Sequence, residues 1–112
     1  MAETVARRFR ALGEPQRLRI LQVLEASPRN VNEVVRALGA SQPNVSRHLQ
    51  ALFEAGLVSR RRAGTSTVYS ISDSMVFKLC GLVCEGAIKQ ARSRLEELEV
   101  AGGGLPPRGS KR

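Results

Sequence analysis

The 112 residues contain no apolar run of about 18, so no membrane-spanning helix is expected. No apolar stretch of the signal-peptide kind follows Met1-Ala2-Glu3, which argues against secretion. Two cysteines are too few for a disulfide framework, and a reducing, cytoplasmic setting is the expectation. With one histidine, no Ser/His/Asp or Cys/His set converges, and no Gly-rich phosphate loop follows a strand. An enzyme is not expected. The chain is also too short for two independent cores. Acid is scarce as well: 10 Asp+Glu stand against 18 Lys+Arg, a formal net charge of +8. That excess points to a polyanionic partner.

The charge is unevenly placed. Residues 1–70 carry eleven Arg and five acids, a net of +6. Residues 71–100 carry four basic and five acidic side chains, and residues 101–112 add Arg108, Lys111 and Arg112 with no acid. One domain over 1–100 followed by a disordered, basic, Gly- and Pro-rich tail at 101–112 is the expected organisation.

Periodicity divides the domain into elements. Residues 4–12 form a short helix with Val5, Phe9 and Leu12 on one face, stopped at Gly13. Pro15 opens a second helix, 15–26, whose Leu18, Ile20, Leu21, Val23 and Leu24 make it the central one. A third covers 31–38. After the Gly39-Ala40 turn, Ser41 caps a fourth, 42–55, with Val45, Leu49, Leu52 and Phe53 inward. Residues 57–62 and 67–71 have strand bias, with Ala63-Gly64-Thr65-Ser66 as the hairpin loop. Asp73 or Ser74 caps a long last helix running to about Val100. Its stripe is Val76, Leu79, Cys80, Val83, Cys84, Ala87, Ile88, Ala91, Leu95 and Leu98.

Two short helices joined by a Gly-containing turn and followed by a basic hairpin are the layout of a winged helix-turn-helix, mainly α with a small β-hairpin. A helix fits the DNA major groove and meets base edges with its outward N-terminal residues. Here Gln42, Asn44, Ser46, Arg47 and His48 are expected outward, and all can hydrogen-bond. Gln and Asn suit adenine, and Arg suits guanine. Backbone N–H groups at the helix start suit a phosphate. On the wing, Arg60, Arg61 and Arg62 with Thr65, Ser66 and Thr67 suit phosphate or minor-groove contact. An exposed polar helix face is by itself only a solvated face, and an Arg triplet only a charged strand edge. Their order along the chain makes DNA binding the reading.

The segments ALGEPQRLRILQVL and SQPNVSRHLQALFEAGLVSRRRAGTSTVYSI also resemble the ArsR/SmtB family of bacterial repressors, over roughly residues 9–72. The resemblance implies a homodimer that pairs through its terminal helices. It implies an operator in double-stranded DNA, expected to be an inverted repeat, and release when an effector binds. On that pattern Ser41, Gln42, Asn44, Ser46, Arg47 and His48 lie on the DNA-reading helix. The arsenic branch of the family carries Cys-Val-Cys where this chain has Asn30-Val31-Asn32, so that ligand set is missing. Of the zinc branch's last-helix ligands only Asp73 is matched. Met75, Gly86 and Lys89 stand at the others. His48 is assigned to DNA contact rather than to metal.

Cys80 and Cys84 remain. Four residues apart, their thiols share one helix face. If that helix pairs with its twin, four thiols meet near the two-fold axis. Such a set suits Zn²⁺, a trivalent arsenical such as arsenite, or a thiol-redox switch. The other reading is that both are small apolar fillers of the dimer stripe. Three functions therefore stay open: a repressor sensing a thiophilic metal(loid) or oxidant, a repressor without such sensing, and an architectural winged helix without sequence preference.

Overall fold

The structure, a computed structural model, describes residues 1–101 and divides into two compact units. The first is Met1–Ser74 and the second begins at Met75. The tail expected from 101 onward lies outside the described residues, except Ala101, which is the last residue of a helix.

The first unit holds four helices and a small sheet: α1 (Ala2–Leu12), α2 (Pro15–Ala26), β1 (Arg29–Asn30), α3 (Val31–Leu38), α4 (Gln42–Glu54), β2 (Val58–Ala63) and β3 (Ser66–Ile71). Glu3 in the first turn of α1 and Arg10 in its last oppose the helix dipole favourably. Gly13 does not end α1 by a left-handed turn, as its φ of −83° shows. The break comes from Pro15, which pushes Glu14 into extended backbone. There the Glu14 carboxylate accepts from Gln16 N and caps α2. α2 buries Ile20, Leu21 and Leu24, while Leu18 stays exposed.

β1 is the element the sequence did not disclose. It pairs antiparallel with β3, Arg29 opposite Tyr69 and Asn30 opposite Val68, in a sheet ordered β1-β3-β2. Two residues carry no readable periodicity. Asn30 also serves α3: its side chain accepts from Glu33 N at 2.9 Å, and the Glu33 carboxylate accepts from Asn30 N at 2.8 Å. That reciprocal cap was legible as Asn-x-x-Glu. α3 ends at Gly39, whose φ of 65° is the left-handed conformation an L side chain resists. Three residues later α4 begins, so this turn sets the relation of α3 to α4.

Val34 of α3 and Val45, Leu49 and Leu52 of α4 complete the core with α2. Leu57, Val58 and Tyr69 close it from the hairpin side. β2 and β3 pair from Val58 opposite Ile71 to Ala63 opposite Ser66. The loop is therefore only Gly64-Thr65, with Gly64 at φ 65°. An ion pair of 3.2 Å joins Arg8 of α1 to Asp73. Both groups are partly exposed, so it contributes at most about 1 kcal/mol. The same contact engages the one carboxylate that matches a zinc-branch ligand.

The second unit is α5 (Met75–Ala101), a single helix of 27 residues. Its Leu82, Val83, Ile88, Leu95 and Leu98 are all exposed in the single chain. Among the described residues no helix is long and apolar enough to cross a membrane.

Candidate nucleic-acid interface

The candidate surface begins where α4 does. Ser41 is extended, and its hydroxyl accepts from Asn44 N at 3.4 Å, a long capping bond. Pro43 sits in the first turn, where its missing N–H costs nothing. Four buried side chains fix the roll of the helix, which leaves Gln42, Asn44 and Arg47 exposed and Ser46 half-buried. Arg47 donates to the side-chain oxygen Oδ1 of Asn44 at 3.0 Å. This i,i+3 pair holds the guanidinium towards the N-terminal end of the helix, the end that meets base edges.

His48 corrects the sequence reading. It faces inward and is 8% exposed. Its Nδ1 accepts from Arg17 Nε at 3.2 Å, so the neutral ring carries its proton on Nε2. Arg17 also reaches the Ala11 carbonyl at 3.5 Å, which joins the end of α1, α2 and α4 at one side chain. The period of α4 explains the error: 45, 48, 49 and 52 form one i, i+3, i+4, i+7 face. His48 was placed by its polarity rather than by that spacing.

Burial holds the His48 imidazole below its ordinary pKa of 6.5. The charges of Arg17 and Arg47 push the same way, against a smaller opposite pull from Glu14. Above that ordinary value the ring is neutral folded and unfolded, and nothing is lost. As pH falls through it, the unfolded chain takes the proton first and the fold loses stability, until the folded pKa is passed. His48→Gln should lack this part of the acid slope. Urea midpoints of the two proteins between neutral and mildly acid pH check this, and parallel slopes would contradict it.

The wing carries the remaining charge. Arg60, Arg61 and Arg62 are exposed, Thr65 is exposed at the turn, and Ser66 and Thr67 are half-buried. Arg60, Arg61, Arg62, Thr67 and Tyr69 line a shallow groove of about 380 Å³. β2 is also an edge strand, and its arginines discourage pairing with another chain. Arg60 differs from its neighbours. It donates to Gln50 Oε1 at 2.8 Å, and its guanidinium carbon lies 3.9 Å from the centre of the Phe53 ring. Phe53 was read as core and Gln50 was not singled out. From Ser41 to Thr67 the one acid is Glu54, whose carboxylate accepts from Gln50 Nε2 at 3.0 Å.

On α5 both thiols are free, Cys80 half-buried and Cys84 exposed. Among the described residues of one chain, no three His, Cys, Asp or Glu gather in a set able to hold a metal ion.

A capped helix with an outward polar row, set between a helix-turn-helix core and an arginine-bearing hairpin, defines a winged helix-turn-helix DNA-binding protein. The comparisons narrow this. Residues 14–60 match the family described as bacterial regulatory protein, arsR family. A Streptomyces lividans protein described as a probable mercury resistance operon repressor is 46% identical over 77 residues, 69% of this chain and 62% of its own length. An uncharacterized HTH-type transcriptional regulator of Methanocaldococcus jannaschii is 39% identical over 84 residues, 74% of this chain and 94% of its own. The solution structure of a homodimeric winged helix-turn-helix DNA-binding domain from Mycobacterium bovis, described as a possible ArsR-family transcriptional regulator, is also similar. It superposes with a TM-score of 0.69 at 38% identity, covering 79% of this chain and 82% of that one. The chain belongs to the arsR family of bacterial regulatory proteins. The relatives that share this domain are described as transcription regulators.

Proposed function

We propose that the protein is a homodimeric, sequence-specific transcriptional repressor acting in the cytoplasm. It holds an inverted-repeat operator through α4 and the wing, and a thiophilic metal(loid) or oxidant acting at Cys80 and Cys84 releases it. The observation that carries the DNA reading is the Gln42, Asn44, Arg47 row, exposed beside an arginine hairpin with a single carboxylate nearby. Ser41 caps the helix that presents the row, while Arg61, Arg62, Thr65 and Thr67 serve the backbone. His48 supports the helix from within.

Dimer formation is supported by the exposed apolar side chains of α5 and by the homodimeric relative. Two cysteines per chain supply too few donors alone, whereas paired α5 helices would bring four thiols together. A relative described as a probable mercury resistance operon repressor supports a soft ion as the effector. An effector acts only by preferring the conformation that fits DNA less well.

The experiment is a gel-shift titration of the protein–operator complex with Zn²⁺, arsenite, mercuric ion or tetrathionate. One of these should release DNA from the wild type and fail to release it from a Cys80→Ser/Cys84→Ser double variant. Equal response of the two proteins would assign the thiols to packing, the role that half-burial of Cys80 favours.

A further inference from the structure

We propose that Arg60 is a positioning residue that clamps the wing to the reading helix, and not a contact to DNA. The proposal rests on the DNA-reading function given above. Arg60 is one of three consecutive exposed arginines on β2, and the pleat sets Arg60 and Arg62 on one side and Arg61 on the other. Arg60 pairs with Tyr69, which is buried, and shares a strand side with Val58, which is also buried. Arg61, opposite Val68, occupies the other side.

On its own side Arg60 has two partners on α4. Gln50 accepts through Oε1 at 2.8 Å. The Gln50 amide is oriented by its second bond, Nε2 to Glu54 Oε2 at 3.0 Å, so its oxygen and not its nitrogen meets the guanidinium. Phe53 presents its ring face at 3.9 Å to the same group. Gln50, Phe53 and Glu54 fall at i, i+3 and i+4, one face of the C-terminal half of α4. Arg60 thus fixes β2 against the helix that also carries Arg47. The guanidinium stays exposed while it gives one N–H to Gln50 and one face to Phe53, so it is anchored on α4. Holding it there keeps Arg61 and Arg62 at a set distance from the reading row, so the wing need not be ordered when DNA binds.

The test has a DNA-free arm and a DNA arm. In NMR spectra of the free protein the Arg60 side-chain protons should be shifted upfield by the Phe53 ring, and the shift should vanish in Phe53→Leu. Its absence from the wild type would overturn the clamp. In salt titrations of operator binding, Arg60→Met and Phe53→Leu should each weaken affinity roughly three- to tenfold, and the double variant no more than the worse single. All should keep the wild-type salt slope. A slope lower by about 0.9 in Arg60→Met marks a lost phosphate contact and overturns the proposal, as does unchanged affinity. Wild-type protein with no preference among DNA sequences would overturn the DNA-reading function and the clamp's purpose with it. Wild-type preference with an unmoved Arg60→Met would overturn the clamp alone.

Discussion

Arg47→Ala is expected to lower operator affinity by about 1–3 kcal/mol, roughly five- to 150-fold, and to relax the base preference at one position of each half-site. The size follows from the chemistry. A guanidinium gives two parallel hydrogen bonds to guanine O6 and N7, and a wrong base leaves those donors unpaired. Arg47 is exposed, and Asn44 already holds it at 3.0 Å, so little order is required of it at binding. Arg61→Ala should behave differently. It should weaken operator and random DNA alike and reduce the salt slope by about 0.9, as loss of one phosphate contact does. Parallel titrations on both DNAs at several salt concentrations separate the two. Equal loss on operator and random DNA for both variants would contradict the assignment of α4 as the reading helix.

A charge placed in the exposed stripe of α5 should have the second large effect. Leu95 is 61% exposed and Leu98 63% exposed in the single chain, on a helix whose one buried residue is Val76, near its start. Burying such side chains against a second copy yields roughly 1.5–3 kcal/mol each, whereas burying an unpaired carboxylate costs several. Leu95→Glu/Leu98→Glu should therefore be monomeric by sedimentation at concentrations where the wild type is dimeric. Its Met1–Ser74 unit keeps its own core and should remain folded by circular dichroism. Operator affinity should fall about 10²- to 10⁴-fold, because the second half-site no longer binds as part of the same molecule. A variant that stays dimeric would place the pairing surface elsewhere.

Where a helix has a long period and a cap, the sequence showed it plainly. α2 and α3 have the expected bounds, and α4 differs from expectation by one residue at its end, because Pro15, Ser41 and the glycines act locally. The hairpin was legible from β-branched and aromatic bias, and its loop proved to be two residues rather than four. β1 was not legible, since a two-residue strand exists only through its partner β3. At the site, Gln42, Asn44, Arg47, Arg60, Arg61 and Arg62 are exposed as expected. His48 is the exception, and the contacts of Arg60 with α4 were not foreseen; both depend on residues distant in sequence. Arg17 lies 31 residues from His48, and Gln50 lies 10 from Arg60. For His48, polarity gave the right chemistry and the wrong direction.

The most direct test is to select bound sequences from a random double-stranded DNA pool with wild-type protein at physiological salt. The expected result is an inverted repeat whose half-site centres lie about one helical turn, ~34 Å, apart, with the preference at one position of each half-site lost in Arg47→Ala. A pool that stays unenriched, with equal affinity for selected and random DNA at matched salt, would contradict sequence-specific reading by a dimer.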